Sequence, residues 1–483
     1  MENIYLSSQV SLITSMIIGF FFIGIGFYNS QKVSNNTKYI VGNRNENIIS
    51  LTASLTASAL GAWILFGPAS AATWGGIGAI FGYALGTAAP MLFLYNFGPK
   101  IRREFPNGLT LTDFIKKRFG IKILKISLFL ILFYLTIFLI AEVTAIAFLL
   151  NLISKIPLWI TSGMTLIICL LYILRGGFKL SIITDKYQFI FIISIVLVSI
   201  FLVLENLDLS SYEIIKKNSP NLISSKYLPN YTSGLTFFIA VAATNLFHQG
   251  NWQRVFSAKN NSSLKISLII SSLITFFIVF WMGYAGLMSY AINPKIIPDL
   301  AFFELIFDKR GPLIIIGILI LALSLTLSTI DTLINAISSL LIVNGNEINK
   351  SISGRNIKNK VNLIILSLCI FVFILASKGY SILYLFLLAD LLCCAAVITI
   401  FNGFFKNKIN TDYAYLSIIF GLISGLLFFP STDFQSSILV GNLMPKEIFY
   451  SIITENLLFI SFTVSILVPL IMILIYSLRN SFK

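Results

Sequence analysis

Ser328 and Thr329 are adjacent hydroxyls deep in the apolar run LSLTLSTIDTLINAISSL, and Asp331 follows two residues later. Oxygen donors of this kind suit a hard cation such as sodium. The ordinary alternative is that each hydroxyl bonds back to a carbonyl of its own helix. Glu142, Asp331 and Asp390 are acids inside apolar runs. An acid at membrane depth is a candidate for coupling, gating or proton relay, unless a neighbouring helix partners it. A second polar group, His248, Gln249, Asn251 and Trp252 around Gly250, ends another apolar run in TNLFHQGNWQRVFSAKN. It reads either as a polar interruption that needs partners in the membrane, or as an interfacial helix end with Trp252 in the aromatic belt and Arg254 snorkelling. His248 is the only histidine, which excludes a His-rich metal site. Cys169, Cys369, Cys393 and Cys394 all lie in apolar runs without ligand spacing and read as packing residues. No catalytic cluster and no cofactor motif is visible, so the chemistry available is that of binding an ion and a solute.

The elements that must position these residues are membrane helices. The chain has 483 residues, 57% apolar and only 11% charged, against roughly 25% charged in a soluble domain. Such a chain cannot cover itself with polar surface, so its solvent is lipid, and residues 1–483 read as one membrane transport domain. About 20 apolar residues are needed per crossing. Thirteen spans are predicted, at 10–28, 50–74, 76–98, 124–150, 156–174, 187–206, 233–251, 266–292, 312–343, 362–377, 380–404, 413–430 and 456–478. The first, Val10 to Tyr28, lacks a basic leader and is expected to be a retained helix. A short surface helix is expected in the connection around Glu205 to Thr232.

The balance is basic, 34 Lys and Arg against 19 Asp and Glu, or +15. These cations sit in short connections between apolar runs, which makes them a topology signal and not a nucleic-acid footprint. With the N-terminus outside, 25 of the 34 fall on the inner side and 9 on the outer. The expected protein is therefore a multi-pass plasma (inner) membrane protein with the N-terminus outside and the C-terminus cytoplasmic.

The second span, SLTASLTASALGAWILFGPASAATWGG, is dense in small residues and carries Gly61, Gly67 and Pro68 mid-membrane. Small residues permit close helix packing. Proline also removes a donor and frees a carbonyl one turn back, which lipid tolerates only where the backbone lines a cavity or binds an ion. The second and seventh spans are thus both interrupted, with four spans between them. Interruptions at matching positions of two five-helix halves mark a midplane site in inverted-repeat transporters. The repeats would be spans 2–6 (about 50–206) and 7–11 (about 233–404). A solute between them would meet Trp63, Asn245, Gln249 and Trp252.

Four segments resemble the sodium:solute symporter family, whose members include proline, sugar, choline and urea carriers. TASALGAWILFGP (56–68) is similar to the family's first core helix. LRGGFKLSIITDKYQ (174–188) resembles its Gly-Gly-…-Thr-Asp-x-x-Gln signature at Thr184, Asp185 and Gln188. WQRVFSAKN (252–260) and LSTIDTLINAISS (327–339) are similar to its Gln-Arg-…-Ala-Lys segment and its sodium-site helix. The resemblance implies a leucine-transporter-like core, an all-α membrane protein with a five-plus-five inverted repeat and broken helices. It implies one sodium ion held by carbonyls of Ala57, Leu60 and Leu325 and hydroxyls of Ser328 and Thr329, with Asp185 beside Glu142, Asp331 and Asp390 among the coupling or gating candidates. Ala59 stands where the proline carriers have an acid, and the Trp-Gln-Arg wording resembles the urea and choline branches more closely. The expected function is a sodium-coupled secondary active symporter importing a small polar organic solute of the urea, choline or amino-acid class. The alternative is a proton-coupled carrier of the same fold, with an intramembrane acid as relay.

Overall fold

The structure is a computed structural model that describes residues 5–29, 35–206, 211–307, 311–354, 356–405, 409–432, 434, 436–437, 439 and 456–481. Lys32, Lys309, Arg310, Arg355, Lys406, Lys408, Lys446 and Lys483, which enter the orientation count, lie outside the described residues. The fold is helical throughout, with only two isolated bridges, Glu46 to Ala258 and Pro430 to Ser437, among the described residues.

The chain runs α1 (Ser8–Asn29), α2 (Asn36–Val41), α3 (Ile48–Ala59), a 3-10 turn (Ala62–Leu65), α4 (Gly67–Glu104), α5 (Leu111–Phe119), α6 (Ile121–Ser154) and α7 (Leu158–Asn206). It continues through α8 (Ser211–Asn218), α9 (Leu228–Phe247), α10 (Gln249–Ser257), α11 (Asn261–Ile292), α12 (Ala301–Phe307) and α13 (Pro312–Ile348). It ends in α14 (Ile357–Ala376), α15 (Ile382–Asn402), α16 (Thr411–Phe428) and α17 (Leu457–Ser481). Ten of the described helical segments are long and apolar enough to cross a membrane. Polar side chains set several starts: Asn47, Asn260 and Ser381 accept from backbone N–H groups of α3, α11 and α15. Thr110 and Asp113 form a capping box at α5.

Four predicted spans take a different form. The span at 50–74 is α3, the 3-10 turn and the start of α4. The span at 233–251 is α9 together with the start of α10. The spans at 156–174 and 187–206 are the two arms of α7, which bends at Gly177 (φ 57°). The second arm therefore begins about ten residues before the predicted boundary, and the stretch read as a connection is helix. Its polar residues Ser181, Thr184, Asp185 and Gln188 are buried in protein and not in water. A similar bend divides α4 at Gly76 (φ 57°, ψ −151°), where a Cβ would collide with the Leu222 carbonyl as well as strain the backbone. The short α8 lies in the connection where a surface helix was expected.

The middle of the bundle is α6, which packs on α13, α15 and α7, with α13 also against α7 and α15 also against α9. Most of α13 is buried along its 37 residues. By contrast, α1, α14, α16 and α17 present large apolar side chains outward, among them Phe20, Ile370, Phe420 and Ile471, the surface expected of helices facing lipid.

Candidate functional site

Both interrupted helices open at the centre of the bundle. Helix α3 stops at Ala59, so the carbonyls of its last turn lose their regular partners. The Leu60 N–H recovers the carbonyl of Thr56 at 3.1 Å. Among the described residues no donor reaches the carbonyls of Ala57 or Leu60. Beyond the gap, the Ala62 N–H donates to Glu142 Oε2 at 2.8 Å, so an acid from the middle of α6 caps the resumed helix. Gly61 makes room for it, because a Cβ there would collide with the Glu142 carboxylate. Pro68 lies in the first turn of α4, where a missing N–H is harmless. It starts the second half of the span and is not the point of breakage that its sequence position suggested.

The second break is at His248, extended at φ −64° and ψ 107° between α9 and α10. Here the freed carbonyls are satisfied locally. Asn251 Nδ2 donates to the Asn245 carbonyl at 2.9 Å, and Trp252 Nε1 donates to the Leu246 carbonyl at 2.8 Å.

The hydroxyl pair on α13 stands against α3 and the turn after it. Ser328 Oγ donates to Asp185 Oδ1 at 2.7 Å, and Ser54 Oγ of α3 donates to Asp185 Oδ2. A hydroxyl whose proton is committed to a carboxylate keeps its lone pairs for a cation. Thr329 Oγ1 is buried without a hydrogen-bond partner, and a buried orphan oxygen demands an explanation. Uncapped carbonyls, an orphan hydroxyl and a nearby carboxylate form a donor set that fits sodium. Leu325 lies one turn before Thr329 on the same buried helix.

Asp185 also ties this group to the second break. Arg254 of α10 donates through one Nη to Asp185 Oδ2 at 2.9 Å and to Thr332 Oγ1 at 3.2 Å. Its Nε donates to Ser54 Oγ at 2.8 Å, and its other Nη donates to the Gly250 carbonyl at 2.9 Å. Both charges of this ion pair are fully buried. Asp331 accepts from Ser181 at 2.7 Å and from Thr184 at 3.1 Å, which fastens α13 to α7 away from either cavity described below.

A cavity of about 30 Å³ lies where the two breaks meet, lined by Ser58, Ala59 and Trp63 of the first, by Val241, Thr244, Asn245 and His248 of the second, and by Tyr83, Phe138, Phe386 and Asp390. Thr244 Oγ1 donates to Asp390 Oδ1. Of the residues expected at the solute, Trp63 and Asn245 line this cavity and Gln249 and Trp252 do not. Gln249 clamps the loop before α5, accepting from the Leu111 N–H at 3.2 Å and donating to the Leu109 carbonyl at 3.3 Å. Trp252 is fully buried and lies flat against Phe401 and Phe404. Both residues follow the break, on the half of the helix that turns away from the cavity. Tyr83, Phe138, Thr244 and Phe386 escaped the sequence reading, since an aromatic or threonine on an apolar span looks the same whether it packs or lines a site.

A wider cavity, about 390 Å³, opens at the end of the bundle that the basic-residue count assigns to the outside. It is lined by Ser70, Trp74, Thr236, Asp299, Leu383, Phe434 and neighbours. Burial pushes the Asp299 carboxyl above its usual range, partly offset by the Ser70 hydroxyl. An aromatic column separates the two cavities. Trp74 lies 5.7 Å from Phe237, Phe237 stacks on Tyr83 at 4.3 Å, and Tyr83 stacks on Trp63 at 5.8 Å.

Comparison with known proteins agrees with this fold. The model of the sodium:solute symporter family matches residues 39–421. The chain is 26% identical over 396 residues to the spermidine transporter DUR31 of Candida albicans, across 79% of this chain and 72% of that one. It is 24% identical over 326 residues to the human sodium/glucose cotransporter 4, across 60% of this chain and 47% of that one. Among solved structures, the substrate-bound outward-open state of a Na+-coupled sialic acid symporter has the same fold, with a TM-score of 0.73 at 16% identity over 96% of each chain.

Proposed function

Since the chain belongs to the sodium:solute symporter family, we propose that it imports a small polar organic solute with sodium through the cavity between the two helix breaks. The observation that carries the reading is the orphan Thr329 hydroxyl on α13, a helix that packs against α3 and the turn after its uncapped end. Sodium takes the carbonyls of Ala57, Leu60 and Leu325 and the hydroxyls of Ser328 and Thr329. The solute takes the cavity lined by Trp63, Asn245 and Asp390. The two halves that carry the breaks, α3 to α7 and α9 to α15, act as inverted repeats in one membrane domain, with the N-terminus outside and the wider cavity facing out of the cell.

Coupling requires that ion and solute favour the same conformation, so that each raises the affinity of the other. Asp185 supports such a link, because it accepts from Ser328 at the ion site and pairs with Arg254 just past the second break. Sodium moving down its gradient supplies about 2.3 kcal/mol per charge for each 100 mV of potential. The two named relatives differ in solute, a polyamine for one and a sugar for the other by their names, so their names do not identify the solute here.

The test is uptake in proteoliposomes at varied sodium. Ser328→Ala and Thr329→Ala are expected to raise the sodium concentration for half-maximal uptake about tenfold, while both variants still reach the membrane. Unaltered sodium dependence in both variants would falsify the ion site.

A further inference from the structure

We infer that the solute is a protonated amine, whose ammonium group sits against Asp390 among the rings of the inner cavity. This rests on the reading of that cavity as the solute site. Asp390 is 6% exposed and lines the cavity, and the donor that reaches it is the uncharged hydroxyl of Thr244. No Lys or Arg is among the described residues lining either cavity. Arg254, on α10 beyond His248, has its guanidinium committed to Ser54, Gly250, Asp185 and Thr332. A carboxylate in a dry, ring-lined space without a cation of its own is satisfied by a cation arriving with the solute.

The rest of the lining favours a cation that carries N–H groups. The Asn245 amide commits one N–H to the Val241 carbonyl at 2.9 Å, which leaves its oxygen free to accept from a ligand. Thr244 has its proton committed, and both ring nitrogens of His248 are buried without partners. The Asp390 carboxylate, the Asn245 and Thr244 oxygens and one nitrogen of a neutral His248 are acceptors in one small space, and a primary or secondary ammonium donates to several of them at once. Trp63 and Phe138 add aromatic rings to the lining, and a ring face attracts a cation. The approach has the same sign: Asp299 is the charged residue among the described residues lining the outer cavity, and the aromatic column lies between it and Asp390. An anionic solute would meet two carboxylates on this path. A neutral sugar or urea would bring no charge to match Asp390.

The experiment is thermal unfolding of the purified full chain in sodium, with butylamine, 1,4-diaminobutane, tetramethylammonium, urea or glucose added in turn. The two protonated amines are expected to raise the unfolding midpoint in a concentration-dependent way, and urea and glucose to leave it unmoved. Asp390→Asn is expected to weaken the amine response more than about tenfold while keeping its response to sodium, which also reports that it folds. Asp390→Glu keeps the charge and should keep most of the amine response. A shift from urea or glucose, a full amine response in Asp390→Asn, or silence towards both amines in a sodium-responsive parent overturns the inference. Tetramethylammonium acting as strongly as butylamine overturns the N–H part of it. The symport reading is tested separately on the same protein. If amines bind but sodium neither stabilises the parent nor strengthens amine binding, coupling fails and the amine site stands.

Discussion

The two helix breaks answer one physical problem in opposite ways. In the first, the N–H of Ala62 is satisfied by Glu142, which belongs to α6, 80 residues further along the chain. In the second, the Asn245 and Leu246 carbonyls are satisfied by Asn251 and Trp252, within six residues of them. The first break is therefore fixed to the scaffold, and its geometry depends on a partner helix staying in place. The second is closed within its own segment and can change its angle to the scaffold without leaving its backbone groups unpaired. On the proposed reading, the first break holds the ion and the second is the one free to move. Arg254 connects them, since it follows the second break and bonds to Ser54 on the helix that ends at the first.

The harshest way to break this comparison is to cut that connection. Arg254→Met leaves Asp185 buried without its cation, and removing one partner of a buried pair costs about 3–5 kcal/mol. The midpoint of thermal unfolding should fall steeply, and the double variant Arg254→Met with Asp185→Leu should recover much of the loss. If the double variant is no better than the single one, the pair is not a closed unit. Gly61→Ala comes next. Its Cβ displaces the Glu142 carboxylate and strands the Ala62 N–H, an unsatisfied buried donor worth about 1–3 kcal/mol. Combining it with Glu142→Ala should cost less than the sum of the two, because the space and the cap are lost together. Strict additivity would mean that the first break does not depend on α6.

The two breaks also differ in how far the sequence disclosed them. TNLFHQGNWQR displays its own closing groups, so a polar interruption was visible there, and the structure puts its break at His248 within that string. The span at 50–74 shows its weakness in Gly61 and Pro68 and nothing of its cap. Glu142 was a lone acid in an apolar run, and only the packing of α6 on the turn makes it a helix cap. The same distinction holds for the sites. Ser328, Thr329 and Asp185 lie on strings that resemble a known family, and the structure brings Ser328 and Asp185 into contact. Apart from the residues at the breaks, the cavity wall takes one residue each from α4 and α6, three from α9 and two from α15, a juxtaposition no local pattern encodes. Gln249 and Trp252 looked like binding residues because polarity in a span suggests a site, whereas their polar groups serve the backbone.

The mildest test concerns the self-closed break. Asn251→Ala removes the Nδ2 donor to the Asn245 carbonyl and leaves the Trp252 bond to the Leu246 carbonyl in place. Asn251 is nearly fully buried, so the freed carbonyl loses a partner that water does not readily replace. One neutral hydrogen bond of this kind contributes about 1 kcal/mol, so the expected fall in unfolding midpoint is small beside that of Arg254→Met. Sodium dependence should be unchanged, since Asn251 touches neither Asp185 nor the hydroxyl pair. Half-saturation for the solute should move by a few-fold at most, because Asn245 lines the cavity and its backbone is loosened. A loss of stability as large as that from Gly61→Ala would contradict the contrast, since it would show that the second break is held as rigidly as the first.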